Sequence, residues 1–201
     1  MPKSPLARRR LRSAPSDLPR ELAEVIEYRK SGLSLNHVIG CPLDCGYCVR
    51  HLFNNFDMKR PHLIMSDEQA VKRLIKHPVF RPGHTPIQLF NRATDPFLPK
   101  VKDHLHRTLE LLDRIGLTNH VLVITRWHVL KDDVTRLERL NHLKVTVLVT
   151  WSGISDSRIE PVDSGIARAS LNTLAACAAS QMRPCFPVSS IGSRSGPICV
   201  Q

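Results

Sequence analysis

The sequence predicts an α/β fold in which helices cover a parallel sheet, and three observations support this prediction. Runs of β-branched and aliphatic residues, such as His120–Arg126 and Lys144–Thr150, are typical of buried strands. Segments with helical periodicity separate these runs, so strands and helices alternate along the chain. Hydrophobic residues make up 42% of the 201 residues, enough for one domain with an apolar core. The alternation fits either an open sheet or part of a barrel, and in both the functional groups lie at the carboxyl ends of the strands.

We expect three regions along the chain. Residues 1–31 hold an arginine-rich, partly disordered arm and a helix within the stretch PSDLPRELAEVIEYRK. Residues 32–188 hold the strands and the remaining helices of the core. Residues 189–201 are expected to form an irregular tail, because they show neither helical nor strand periodicity. A core that stops so soon after its fifth strand is expected to be C-terminally truncated.

The central region is predicted to alternate strand and helix from its first element to its last. The predicted strands are Leu33–Gly40, Pro86–Asn91, His120–Arg126, Lys144–Thr150 and Met182–Val188, and the predicted helices begin near Ser66, Lys100, Asp132 and Ile166. Ser66 is expected to cap its helix through a capping box. His104 and His106 are expected to be solvated, because leucines form the apolar face of their helix.

The composition limits the compartment and the partners. The formal net charge is +11, from 29 Lys and Arg against 18 Asp and Glu, which favours polyanions such as nucleic acid or nucleotide phosphates as partners. No apolar run is long enough to span a membrane and no signal-peptide pattern is present, so we expect a cytoplasmic protein without a membrane partner. In a reducing compartment, clustered cysteines indicate metal or redox chemistry rather than disulfides.

Three of the six cysteines lie close together in the stretch GCPLDCGYC, directly after the first predicted core strand. A loop can turn the thiolates of Cys41, Cys45 and Cys48 toward one metal centre. Two occupants fit the spacing. A structural zinc ion would recruit His51 or His37 as a fourth ligand, in a nucleic-acid-binding module without catalysis. An iron–sulfur cluster would instead keep one iron open for an external ligand.

The cysteine spacing, with Tyr47 just before the last cysteine, resembles the signature of the radical S-adenosylmethionine (radical SAM) superfamily. Over roughly Asn36–Val188 the chain is similar to the spore photoproduct lyase-like branch, on the stretches CPLDCGYC, ATDPF, VITRWH and IEP. The resemblance implies a partial (β/α) barrel with parallel strands, about five of six being present. It also implies a [4Fe–4S] cluster held by the three cysteines, with the fourth iron chelated by S-adenosylmethionine.

The chemistry that the resemblance implies is reductive cleavage of this cosubstrate to methionine and a 5′-deoxyadenosyl radical, which removes hydrogen from a substrate. A flavodoxin- or ferredoxin-type protein would supply the electron. The photoproduct lyases carry a hydrogen-donating cysteine beside the second strand, whereas this chain has Asn91, Arg92 and Ala93 there. DNA repair is therefore not carried over, and the substrate and the catalytic residues stay unassigned.

The resemblance further assigns residues to the cosubstrate. The expected cosubstrate-binding residues are Tyr47, Thr94, Asp95, Arg126, Thr150 and Arg168. Tyr47 matches an aromatic position against the adenine, and Thr94 and Asp95 match positions that contact the methionine part. Arg126 and Thr150 match a basic and a hydroxyl position at the ends of the third and fourth strands. Asp95 stands before a proline and equally fits the start of a turn.

Overall fold

The computed structural model describes residues 11–18, 20–53, 58–152, 154, 156–180 and 199–200. Its strands are β1 (Arg12–Ser13), β2 (Ile26–Arg29), β3 (Gly32–Leu35), β4 (Val38–Ile39), β5 (His62–Leu63), β6 (Ile87–Leu89), β7 (His120–Thr125), β8 (Lys144–Val149) and β9 (Cys199–Val200). Its helices are α1 (Arg20–Ala23), α2 (Asp67–Ile75), α3 (Lys102–Arg114), α4 (Lys131–Glu138) and α5 (Ser164–Ser180), with a 3-10 helix at Val49–Phe53. The predicted alternation is confirmed from α2 to α5. The predicted strand Met182–Val188 lies outside the described residues.

The central sheet has six strands in the order β2–β3–β6–β7–β8–β9. The five strands from β3 to β9 run parallel, and β2 pairs antiparallel with β3. Leu33 pairs with Ile87 and Ile87 with Val121, so the carboxyl ends of these strands meet at one edge. The fold is therefore mixed α/β with a mostly parallel sheet. No closed barrel is found among the described strands.

Helices cover one face of this sheet. The helical residues of the main core are Ala70, Val71, Leu74, Leu105, Leu109, Leu112, Val134, Leu137, Ala167 and Leu174. In β7 and β8 every second residue is buried against them, whereas Leu122, Ile124, Thr146 and Leu148 between them are half-buried. The β-branched sequences of the two strands predict burial on both faces, whereas in the structure one face is buried and the other is half-buried. Among the described helices, none combines the length and the apolar character that crossing a bilayer requires.

The predicted N-terminal helix is wrong beyond Ala23, where α1 ends. Ile26 instead begins β2 and pairs with Leu35, which leaves Ile26 6% exposed. A hairpin joins β2 to β3 through Gly32, whose φ is +126° and whose missing Cβ would lie 2.2 Å from the carbonyl oxygen of Pro86. Pairing with a core strand outweighs the helical periodicity of this segment.

The first predicted core strand is divided between two sheets. β3 belongs to the central sheet, whereas β4 pairs with β5, which in turn pairs with β1. Between β3 and β4 the backbone N–H of Asn36 donates to the carbonyl of Val25, and the N–H of Ile64 donates to the carbonyl of His37. The chain therefore leaves the central sheet before it reaches the cysteine loop. At the other end, Cys199–Val200 pair with β8, so the prediction of an irregular tail is wrong for these two residues.

The capping box of α2 is confirmed. Ser66 Oγ accepts the N–H of Gln69, and the side chain of Gln69 accepts the N–H of Ser66. The prediction of solvated histidines on α3 is wrong. His106 is 2% exposed with its Nε2 atom 3.1 Å from Asp133 Oδ1, because α4 packs beside α3 and places this carboxylate against the ring.

Asp67, at the start of α2, links α3 to the segment before the cysteine loop. Its Oδ1 atom lies 2.8 Å from His37 Nε2 and 2.9 Å from His104 Nδ1. Burial opposes ionisation of Asp67, but the hydrogen bonds from the two histidines outweigh it and hold the pKa of this carboxyl below its usual value. The hydrogen bond to Asp67 raises the pKa of His104, and burial lowers the pKa of His37.

We expect His104→Gln to destabilise the protein more in acid than in base. Because the pKa of His104 is raised in the folded state, its charge stabilises the fold below the ordinary histidine pKa, and this contribution is lost as the pH rises through the raised value. Urea unfolding should show a deficit of about 1 kcal/mol near pH 5.5 and a smaller one near pH 8.5. His84→Gln, on an exposed histidine outside this cluster, is the control. Equal deficits at both pH values would contradict the prediction.

Candidate functional site

A cavity of about 110 Å³ lies at the carboxyl edge of the central sheet, beside the cysteine loop. Seven of the nine predicted site residues line it: Cys41, Cys45, Cys48, Thr94, Asp95, Arg126 and Thr150. These residues come from the cysteine loop and from the segments that follow β6, β7 and β8. They meet because parallel strands in register end at the same edge.

The start of the cysteine loop is held in place by two backbone hydrogen bonds. The N–H of Gly40 donates to the carbonyl of Ala93 and the N–H of Cys41 to the carbonyl of Met58, each at 3.0 Å. Gly40 has a φ of +97°, and a Cβ there would lie 2.2 Å from the carbonyl oxygen of Arg60. Only glycine fits this approach, so the residue before the first cysteine is dictated by the backbone path.

Arg50 lies in the 3-10 helix that directly follows the loop and is 2% exposed. Its Nη2 atom donates to the carbonyl of Leu43 at 2.9 Å and its Nη1 atom to the carbonyl of Met58 at 3.2 Å. The guanidinium therefore joins the loop, at Leu43, to the later segment at Met58, and it places a positive charge near the cysteines. Sequence reasoning did not find this residue, because one arginine in a basic chain carries no distinctive signal.

Two of the three thiols lie in an apolar environment. Burial raises the pKa of Cys41, and it raises the pKa of Cys45 to about 11. Arg50 acts in the opposite direction on Cys41. Both thiols are consequently protonated at neutral pH, and binding of a metal centre by these thiols would release their protons.

Asp95 lines the cavity but also joins the end of β6 to the end of β7. Its Oδ1 atom accepts the N–H of Phe97 at 2.9 Å and the hydroxyl of Thr125 at 2.8 Å, and its Oδ2 atom accepts the N–H groups of Arg126 at 2.7 Å and Trp127 at 3.2 Å. Burial raises the pKa of this carboxyl, and the four donors oppose that shift. In this arrangement both oxygens of Asp95 are used to join the ends of β6 and β7. The hydrogen bond from the Phe97 N–H, two residues along the chain, closes the turn that an aspartate before a proline was expected to start.

Thr94 presents a different environment at the same wall. Its hydroxyl is buried and has no hydrogen-bond partner among the described residues. Buried hydroxyls in native proteins are almost always paired, so an orphaned one on a residue that lines a cavity is a candidate partner for a polar group of a ligand. Thr150, on the adjacent wall, donates its hydroxyl to the carbonyl of Thr125 at 3.1 Å.

Tyr47, Arg126 and Glu160 form a cluster at the edge of the cavity. Arg126 lines the cavity, whereas Tyr47 and Glu160 are not among its described lining residues. Arg126 Nη2 lies 2.6 Å from Glu160 Oε2, and the Tyr47 hydroxyl donates to the same carboxylate. The Arg126 guanidinium lies 5.0 Å from the centre of the Tyr47 ring. Burial raises the pKa of Tyr47, so its hydroxyl stays a neutral donor. Glu160 is the middle residue of the sequence stretch IEP, but nothing in the sequence indicates which side chains contact it.

The remaining predicted residue, Arg168, lies outside the cavity lining. It is exposed on α5, and its guanidinium lies 6.0 Å from the centre of the Trp151 ring. The structure therefore brings Arg168 to an aromatic side chain at the neighbouring surface and does not bring it to the cysteines.

The two histidines considered as zinc ligands lie elsewhere. His37 is fully buried against Asp67, and its ring centre lies 5.0 Å from that of Phe90. His51 is exposed and is not part of the cavity lining. In the part of the chain that the structure describes, no group of three or more His, Cys, Asp or Glu side chains is arranged as a site for a metal ion. One zinc ion needs every ligand about 2.3 Å or less from a single point, whereas a cluster places each thiolate on a different iron.

Comparison with known proteins found no matching family model, no matching curated protein and no matching solved structure.

Proposed function

We propose that the protein is a radical SAM enzyme that binds a [4Fe–4S] cluster through Cys41, Cys45 and Cys48 and cleaves S-adenosylmethionine reductively. The observation that carries the proposal is the convergence of three cysteines on one cavity. The described lining of this cavity adds no His or Glu, and its one carboxylate, Asp95, is already hydrogen-bonded. Three thiolates leave one iron of such a cluster for an external ligand. The unpaired Thr94 hydroxyl in the same wall supports a polar ligand beside the cysteines.

When bound, the cluster and its cosubstrate supply a 5′-deoxyadenosyl radical, and the protein orients the two and keeps water away. The three thiolates would hold the cluster at the carboxyl edge of the sheet. Thr94 would bind the methionine part, Tyr47 the adenine, and Arg126 a carboxylate or ribose oxygen. The half-buried face of β7 and β8 lies next to this cavity and would face the interior of a partial (β/α) barrel.

The proposal leaves the substrate open. The charge of +11 supports a polyanionic substrate or partner, such as nucleic acid. A flavodoxin- or ferredoxin-type protein is the proposed electron donor, since the site itself holds no second redox group among its described residues.

The test is anaerobic reconstitution followed by metal analysis and a cleavage assay. We expect about four iron and four sulfide per chain, a brown colour, and formation of 5′-deoxyadenosine when a chemical reductant and S-adenosylmethionine are added. A colourless protein that holds one zinc and no sulfide would contradict the proposal and favour the zinc-stabilised nucleic-acid-binding module. Iron and sulfide without any 5′-deoxyadenosine would leave a cluster protein and contradict the enzymatic part.

A further inference from the structure

Glu160 is a buried carboxylate that joins three loops at the rim of the cysteine cavity. Its Oε2 atom lies 2.6 Å from Arg126 Nη2 and accepts the hydroxyls of Tyr47 and, at 2.9 Å, Ser152. Its Oε1 atom accepts the N–H of Val162 at 3.2 Å. The side chain is 5% exposed. One carboxylate thus holds the cysteine loop to the ends of β7 and β8.

Glu160 is not among the described residues that line the cysteine cavity. It lies in a smaller adjoining pocket, and Arg126 and Thr150 line both spaces. Of the side chains that contact Glu160, Arg126 lines the cysteine cavity, whereas Tyr47 lies beside the cavity and is not among its described lining residues. A ligand that extends from the cavity past Arg126 would therefore meet Arg126 and then Tyr47, with Glu160 behind them. Any effect of Glu160 on such a ligand has to act through these two side chains.

The segment that carries Glu160 also holds the backbone of the cysteine loop. The N–H of Gly46 donates to the carbonyl of Ile159 at 2.8 Å. A Cβ on Gly46 would lie 3.3 Å from the Cα of Ile159, so the two segments are in close contact. Residues 46 and 47 are therefore fixed twice, once through a backbone hydrogen bond and once through the Tyr47 hydroxyl.

Resting on the proposed function, we propose that Glu160 is a positioning residue that holds the Tyr47 ring and the Arg126 guanidinium where they receive the adenosine part of the cosubstrate. A carboxylate suits this task because it accepts from every one of these donors and neutralises the guanidinium. Glutamine is nearly the same size but would turn an amide N–H₂ toward groups that are all donors.

The variant Glu160→Gln tests the inference in the reconstituted holoprotein. We expect the iron content to stay as in the wild type, while the affinity for S-adenosylhomocysteine, which cannot be cleaved, falls about tenfold or more. Glu110→Gln is the matched control, because Glu110 Oε1 lies 2.7 Å from Arg136 Nη2 on helices remote from the cysteines. The control should bind as the wild type does.

A second readout uses amide hydrogen exchange in the metal-free protein. We expect the peptide that spans residues 45–48 to exchange about tenfold faster in Glu160→Gln and at the wild-type rate in Glu110→Gln. In a Tyr47→Phe background, Glu160→Gln should weaken ligand binding less than it does alone, because the two residues act through one hydrogen bond. Strictly additive effects would overturn the inference.

The remaining outcomes separate the inference from the proposed function. A wild-type protein that holds no iron overturns the proposed function and, with it, the cosubstrate role of Glu160. If the wild type binds S-adenosylhomocysteine no more tightly than the Glu160→Gln variant, the inference alone is overturned. Loss of iron in Glu160→Gln also overturns the inference, because Glu160 would then be needed for the structure of the cysteine loop and not only for the positions of Tyr47 and Arg126.

Discussion

Replacing any one of Cys41, Cys45 and Cys48 by alanine is expected to reduce the iron retained after anaerobic reconstitution at least about tenfold and to abolish 5′-deoxyadenosine formation. A cluster held by three thiolates has no substitute donor here, because the Asp95 oxygens that share the cavity are already hydrogen-bonded to Phe97, Thr125, Arg126 and Trp127. Iron and sulfide analysis of the three variants measures the effect.

The matched control is Cys177→Ala. Cys177 is a half-buried residue of α5 that does not line the cysteine cavity. This variant should keep the iron content and the activity of the wild type. Full iron retention in any of the three loop variants would show that the metal is held elsewhere, and an equal loss in Cys177→Ala would show that general destabilisation is being measured.

Replacing Asp95 by alanine is expected to lower the free energy of unfolding of the metal-free protein by about 3–5 kcal/mol. The change removes an acceptor for three backbone N–H groups and for the Thr125 hydroxyl. Phe97 and Thr125 are buried, Arg126 and Trp127 are half-buried, and of the three N–H groups only that of Trp127 keeps a second acceptor among the described residues, Thr125 Oγ1. Each buried donor left unpaired costs roughly 1–3 kcal/mol, with part recovered by relaxation or water entry. Equilibrium unfolding in urea measures the difference.

Two companion variants make the Asp95 result specific. Asp95→Asn keeps one acceptor oxygen and should lose less stability than Asp95→Ala. Asp132→Ala, at an exposed position in the first turn of α4, should lose less than about 1 kcal/mol. If Asp95→Ala is as stable as Asp132→Ala, the carboxylate does not join β6 to β7 as the structure indicates.

Sequence patterns correctly predicted the elements that depend on interactions between residues close together in the sequence. The capping box of Ser66 needs a partner only three residues away, and α2 begins where it predicts. The strands β6, β7 and β8 lie within their predicted ranges because each is a short apolar run between helical segments. The cysteine loop follows the same logic, since the spacing of the three cysteines places them on one short turn.

Contacts between distant segments account for what the sequence did not predict. Ile26 lies in a strand and not in the predicted helix, because it pairs with Leu35 on the neighbouring strand and is buried there. His106 is buried and not solvated, because Asp133 of the next helix contacts its ring. Helical periodicity and side-chain polarity describe one segment at a time, so neither pattern contains this information.

By itself, the sequence determined the chemistry that is available: three thiolates on one turn, a basic chain, and polar residues at the ends of successive parallel strands. The tertiary structure decided how those groups are used. It brought Glu160 to Tyr47 across 113 residues of sequence, committed Asp95 to donors 30–32 residues away, and left the Thr94 hydroxyl unpaired in the cavity wall. Hydrogen bonds act over about 3 Å, so residues this far apart in sequence become partners only after the sheet has formed.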